Sequence, residues 1–232
     1  MFLKIAVVNN SGNVGKSTIC DTLLKPRLEG AEVIRIESIN SDGSDDQKFV
    51  PAEFLEIFQR IDEADCAIVD VGSSNIEEFT DQLRKYKGSH EDFDFFIIPV
   101  VSDKKQQLDT ISTIEILLDL NVEPERIRLI FNRVKDEIAF EKQFSNVLES
   151  RIYKSLKLKG SPRIPETVVF KHVSEIRKTF NEVMEDDRDF RELLKAASKE
   201  DRAQLSLLRG VKRAVMGFND TLDIAFNQLN IA

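Results

Sequence analysis

The chain has 232 residues, 41% of them apolar, and its 33 Lys and Arg against 41 Asp and Glu leave a formal net charge of −8. That length suits one α/β domain, alone or with a helical extension, and the apolar content suffices for a sizeable core. A protein that coats a polyanion by itself is usually basic, so the balance argues against direct non-specific DNA binding and leaves a role through a partner open.

No cationic leader precedes a long apolar run, and no apolar stretch is long enough to span a bilayer, so a cytoplasmic location is expected. The two cysteines, Cys20 and Cys66, fall in an expected helix and an expected strand. They read as buried thiols in a reducing compartment, not as a disulfide or a metal site.

Residues 3–8, apolar but for Lys4, read as a strand of a parallel sheet covered on both faces. Asn9-Asn10-Ser11-Gly12-Asn13-Val14-Gly15-Lys16-Ser17-Thr18 follows, and then a helix-like run from Thr18 to Leu24 that stops near Pro26. Strand, glycine-bearing loop and helix in that order make a phosphate cradle. Backbone N–H groups point inward at an anion, and the helix start adds partial positive charge. Lys16 would reach the β- and γ-phosphates and the Ser17 hydroxyl would hold Mg²⁺. The strict pattern has a glycine where this chain has Asn10. Asparagine tolerates left-handed backbone better than most residues, which makes the exchange physically acceptable.

Glu32 to Glu37 reads as a second strand, Ser38 to Gln47 as a polar loop, and Pro51 as the first turn of a helix with Phe54, Leu55, Phe58 and Ile61 on its apolar face. The run from Asp65 to Gly72 is a third strand, ending in Asp70. In open parallel sheets, ligands lie beyond that edge. A carboxylate there can bind Mg²⁺ through water, and Gly72 would let the backbone approach a γ-phosphate.

Ser73-Ser74-Asn75 is expected to cap a helix over 76–87. His90, in the polar loop that follows, reads as a solvated surface residue. Phe93 to Val101 is an apolar strand interrupted by Asp94 and Pro99, and Asp103 opens a helix carrying Ile111, Ile114, Leu117 and Leu118. Lys104 and Lys105 sit in its first turn, just beyond a strand end. Ile127 to Asn132 is a further strand, residues 137–159 read as mostly helical, and Ile164-Pro165 with Thr167 to Phe170 suggest a last strand. Strands and helices alternate throughout, which predicts an α/β fold with a doubly wound, mostly parallel sheet over 1–172.

Residues 173–232 change character and predict a helical C-terminal extension packed on the domain or on a partner. Leu208, Val211, Val215, Phe218, Leu222, Ala225, Phe226 and Leu229 recur at helical spacing. Asp220, Asp223 and a sparse basic face favour packing over a membrane anchor.

With both phosphate motifs placed, the chain resembles the ParA/MinD group of P-loop ATPases, and within it the StbB-type plasmid-stability proteins. The resemblance rests on residues 9–18, Glu37-Ser38-Ile39-Asn40, Val69-Asp70-Val71-Gly72, Gly88 to Asp94, Lys105 to Thr110 and Phe131-Asn132. It covers about the first three-fifths of the chain and implies an ATP-binding, ATP-hydrolysing switch using Mg²⁺. It further implies a DNA-binding partner protein of a plasmid stability system and a nucleotide-dependent homodimer. By the same resemblance, nucleotide contacts fall on Ser11, Gly12, Asn13, Val14, Gly15, Lys16, Ser17 and Thr18, with Thr18 at the α-phosphate. Lys16 and Asp70 are the catalytic pair, Ser17 and Asp70 (through water) hold the metal, and Asn132 reads the adenine edge. Glu37 stands loosely where relatives carry an acidic residue.

One departure concerns Ser11. Relatives place a second lysine there that reaches the nucleotide across a dimer interface, so another cation, with Lys104 or Lys105 as candidates, would have to serve, or turnover would be slow or partner-stimulated. Two alternatives stay open: a nucleotide-binding scaffold without efficient turnover, and a small-molecule phosphotransferase or ligase of the same fold. No compact acid/base constellation announces the latter, and the lack of a paired-cysteine motif disfavours an iron–sulfur role.

Overall fold

The structure, a computed structural model, describes residues 2–36, 51–158 and 160–231. Glu37 and the loop expected over 38–47 lie outside the described residues. The chain divides into two compact units, Met1–Pro165 with Ala225–Ala232, and Glu166–Ile224.

In the first unit, apolar runs rich in Ile and Val make the strands, the inner ones largely buried on both faces and the two edge ones partly exposed. The strands are β1 Leu3–Val7, β2 Ala31–Ile36, β3 Cys66–Val71, β4 Phe95–Val100, β5 Ile127–Val134 and β6 Arg163–Pro165. They form one sheet in the order β2-β3-β1-β4-β5-β6, and every pairing is parallel. Chain order reverses around β1, which makes its C-terminal edge a switch point. The register sets Val7 beside Asp70 and beside Ile97, and Arg35 beside Asp70.

Helices connect the strands: α1 Lys16–Ile19, α2 Pro51–Glu63, α3 Ile76–Lys85 and α4 Lys104–Asp119. Three short ones, α5 Phe140–Gln143, α6 Ser145–Glu149 and α7 Arg151–Leu156, follow β5. Aromatic rings fill the space over the sheet. Phe93 stacks edge-on against Phe58 and Phe79, with centroids 5.9 and 6.0 Å away, and Phe131 meets Phe140 and Phe144 at 4.9 Å. Each such side chain withdrawn from water contributes roughly 1.5–3 kcal/mol toward offsetting chain entropy.

Lys4, charged but buried within β1, donates its ammonium to the carbonyls of Ile61 and Ala64 and so caps the end of α2. Both thiols, Cys20 and Cys66, are free and buried.

The second unit is helical: α8 Val169–Glu175, α9 Phe180–Met184, α10 Phe190–Ala196 and most of α11 Asp201–Leu229. Phe170 and Phe180 lie 5.7 Å apart, and Phe218 of α11 closes the cluster at 5.7 and 6.2 Å. Thr179 and Glu182 form a reciprocal capping box that starts α9. No helix among the described residues is long and apolar enough to cross a membrane.

Three local expectations are corrected. Thr167 to Phe170 is not a strand: β6 ends at Pro165, the Thr167 hydroxyl accepts the Val169 N–H at 3.1 Å, and the β-branched pair Val168-Val169 leads into α8 instead. The helix after the phosphate loop begins at Lys16 and widens into a π-turn over Cys20–Leu24 before Pro26. Asn75 stands at the start of α3 but makes no side-chain cap; its amide donates to the Ile36 carbonyl at 3.2 Å.

Candidate functional site

The loop after β1 is fixed by two residues in left-handed backbone, Asn13 at φ 58° and Gly15 at φ 94°. Asn10 is not among the positive-φ residues. Its tolerance of left-handed backbone is therefore not what lets it replace glycine. Gly15 leads into α1, and its carbonyl accepts the Ile19 N–H at 2.9 Å.

Around the loop stands a polar scaffold. Asn9, fully buried, donates its amide to the Pro99 carbonyl at 2.8 Å and to the Thr110 hydroxyl at 2.9 Å, while its Oδ1 accepts the Ser11 N–H at 2.8 Å. Pro99 has no N–H for the ladder, yet its carbonyl is put to use here. From α4, Gln106 donates to the Gly12 carbonyl at 2.7 Å, and the Thr113 hydroxyl accepts the Asn10 N–H at 3.0 Å. Asp103 caps that helix through the Gln106 N–H. Gln106, Thr110 and Thr113 are spaced to share one helix face. Sequence reasoning missed this clamp; the spacing was its one visible sign.

Lys16 is buried, and its ammonium donates to the carbonyls of Asn9 at 3.1 Å and Ser11 at 3.0 Å. Ser11 thus serves Lys16 through its backbone. Burial lowers the Lys16 pKa; the charge of Asp70 and the Cys20 thiol oppose that. Ser17 and Thr18 are exposed at the mouth of the loop.

Asp70, at the end of β3, is also buried, and its Oδ2 accepts no hydrogen bond. Arg35 Nε stands 3.9 Å from that oxygen, while Arg35 Nη2 donates to both oxygens of Asp21 at 2.7 and 2.6 Å. Burial pushes the Asp70 pKa up; the Ser17 hydroxyl, Arg35 and Lys16 pull it back. An orphaned buried carboxylate oxygen costs free energy unless a partner arrives. A carboxylate beside an exposed hydroxyl fits a hard divalent cation that keeps much of its water. Among the described residues no group of three or more His, Cys, Asp or Glu could hold a metal ion by itself.

Asn132, at the end of β5, is brought to the same loop: its amide donates to the Val14 carbonyl at 2.9 Å, and its Oδ1 accepts the Arg133 N–H at 3.0 Å. The turn after β3 also reaches the loop, with Ser73 Oγ 3.5 Å from where a Gly12 Cβ would stand. Gly72 donates its N–H to the Ile36 carbonyl at 3.0 Å, so it meets the end of β2. The structure thus gathers Ser11, Gly12, Val14, Gly15, Lys16, Ser17, Asp70 and Asn132. Lys104 and Lys105 are exposed on the first turn of α4, and no described contact joins them to Lys16 or Asp70. Glu37 lies outside the described residues.

The strand order, with a glycine loop leading from β1 into a helix, is that of a doubly wound P-loop α/β fold. The sequence matches no protein-family model and no curated protein. Among solved structures it is similar to a single-residue variant of Cyanothece McdA in complex with ATP, at 13% identity and a TM-score of 0.49, over 93% of this chain and 97% of that one. It is also similar to the MinD cell division protein of Aquifex aeolicus, at 17% identity and a TM-score of 0.48, over 93% and 97% of the two chains.

Proposed function

We propose that the chain is a Mg-ATP-binding ATPase of the ParA/MinD type that works as a slow, nucleotide-dependent switch. The observation that carries this reading is the presence, at two neighbouring strand ends, of two buried groups of opposite charge, one held only by loop carbonyls and the other with an oxygen left without a hydrogen bond. Lys16 spends its ammonium on loop carbonyls, and Asp70 Oδ2 has no hydrogen-bond partner.

In this reading Lys16 leaves the carbonyls of Asn9 and Ser11 for the β- and γ-phosphates. The loop N–H groups bind the phosphate oxygens, with Thr18 at the α-phosphate. Ser17 and Asp70 would hold Mg²⁺, which would supply positive charge against that of the phosphates. Asn132 has a second amide hydrogen beside the one given to Val14, which an adenine nitrogen can accept.

The Gly72 turn supplies the switch. For its N–H to meet a γ-phosphate, it must let go of Ile36, the last residue of β2. Nucleotide occupancy is thereby coupled to the end of β2. The plasmid-stability setting and the DNA-binding partner protein rest on the motif resemblance. A nucleotide-binding scaffold without efficient turnover is the second reading, favoured by Ser11, which brings no cation to the site.

Phosphate release, measured with and without a DNA-bound partner protein, tests the proposal. Slow release that rises with the partner and is lost in Asp70→Asn supports the switch. Tight Mg-ATP binding with no release under either condition selects the scaffold.

A further inference from the structure

We propose that α11 is a dimerisation helix that pairs antiparallel with α11 of a second copy of this chain, without nucleotide. The inner face of the helix is covered by its own chain: Val211, Val215, Phe218 and Leu222 are all buried. The outer face is not. Met216 is 49% exposed and Ile224 is 60% exposed. A Cβ added at Gly210 or at Gly217 would meet nothing within 4 Å. Positions 206, 210, 213, 217, 220 and 224 recur at alternating four- and three-residue spacing, which draws one seam along the helix. The seam is about 27 Å long. Two glycines near its middle would let a facing helix come close, and the larger apolar side chains lie beside it and at its end.

The charges identify the occupant. Arg209 and Arg213 stand on one half of the outer face, Asp220 and Asp223 on the other, placed almost symmetrically about Met216 and Gly217. None of the ion pairs among the described residues involves Arg209, Arg213 or Asp220. A two-fold axis at Met216–Gly217 sets Arg213 of each copy against Asp220 of the other, and Arg209 beside Asp223. An isologous interface must be self-complementary in this way. A parallel pair would place like charges together, which repel. An anionic membrane would attract the arginine half and repel the aspartate half.

The test is light scattering after size exclusion on the full chain, free of nucleotide and over a range of protein concentrations. The expected result is a dimer that weakens with salt. Arg213→Glu and Asp220→Arg, each alone, weaken it by about tenfold or more. The double variant Arg213→Glu/Asp220→Arg restores it, and circular dichroism checks that all three keep their helix. A nucleotide-free monomer at every concentration overturns the proposal, as does a dimer indifferent to both reversals. Sedimentation of the wild-type chain with vesicles containing anionic lipid, in place of self-association, also overturns it. A dimer that forms only with ATP sinks this inference and leaves the nucleotide site untouched, so the two proposals fail separately.

Discussion

Asn132 and Gly15 stand so close that a Cβ on Gly15 would lie 2.5 Å from the Asn132 amide nitrogen. The glycine is demanded twice, once by that contact and once by its φ of 94°. Gly15→Ala forces either the loop or the amide to move. Left-handed backbone alone costs alanine about 1–2 kcal/mol. The expected outcome is at least a roughly tenfold loss of ATP affinity with a modest drop in melting temperature. Adding Asn132→Ala relieves the clash but not the backbone strain, so in calorimetry the two losses of affinity are expected to be less than additive.

Asn132 itself separates two roles. As a prop for the loop through Val14, its removal weakens all nucleotides alike. As a reader of the adenine edge, its removal weakens ATP more than GTP. Asn132→Ala is expected to narrow the preference for ATP over GTP, measured by titration of both. Equal losses would leave only the propping role.

The clamp from α4 is a stability device with a functional readout. In Thr113→Val the Asn10 N–H loses its acceptor, at a cost of about 1–3 kcal/mol. Hydrogen exchange at the loop amides is expected to quicken, and ATP affinity to fall, while exchange in β4 and β5 stays slow. Uniform quickening through the sheet would show a global defect instead.

Much of this arrangement is legible in the chain because it is local. Two apolar runs, one leading to Gly15-Lys16-Ser17 and one ending in Asp70, announce strand ends, and the parallel pairing of β1 with β3 sets those ends side by side. The clamp is long-range: Asn9 meets Thr110, and Asn10 meets Thr113. In sequence, those threonines are ordinary polar positions of an amphipathic helix. Lys4 shows the same limit. A lysine in a strand reads as an exposed residue until the end of α2 arrives with carbonyls to receive it. At Thr167 to Phe170, β-branched propensity points to a strand, but a side-chain turn at Thr167 wins. Backbone tolerance is the wrong argument at Asn10, because the positive φ falls at Asn13 and Gly15.

Acidity acts on the site through Asp70. Burial holds its carboxyl above the ordinary value of 3.8, whereas Mg²⁺ requires the ionised form. As pH falls, the native carboxyl takes up its proton earlier than a solvated aspartate would, and Mg²⁺ must displace it. The Mg²⁺ dependence of ATP binding is therefore expected to weaken on acidification, beginning above pH 3.8, with a proton released on binding. Lys16 works in the opposite direction. Burial lowers it below 10.5, so affinity for the nucleotide anion falls on alkalinisation before a solvated lysine would lose its charge. In Asp70→Asn the acid limb disappears and the alkaline limb remains. Calorimetry across pH with and without Mg²⁺ reads both.

The Mg-ATP affinity of Lys16→Ala, measured against the unaltered chain, tests whether Lys16 and Asp70 mark a Mg-ATP site. Binding by the unaltered chain is expected to be saturable and to need Mg²⁺, and Lys16→Ala to weaken it by about a hundredfold, the loss expected when a charge-assisted contact of up to roughly 3 kcal/mol is removed. An unchanged affinity in a folded Lys16→Ala variant would contradict it.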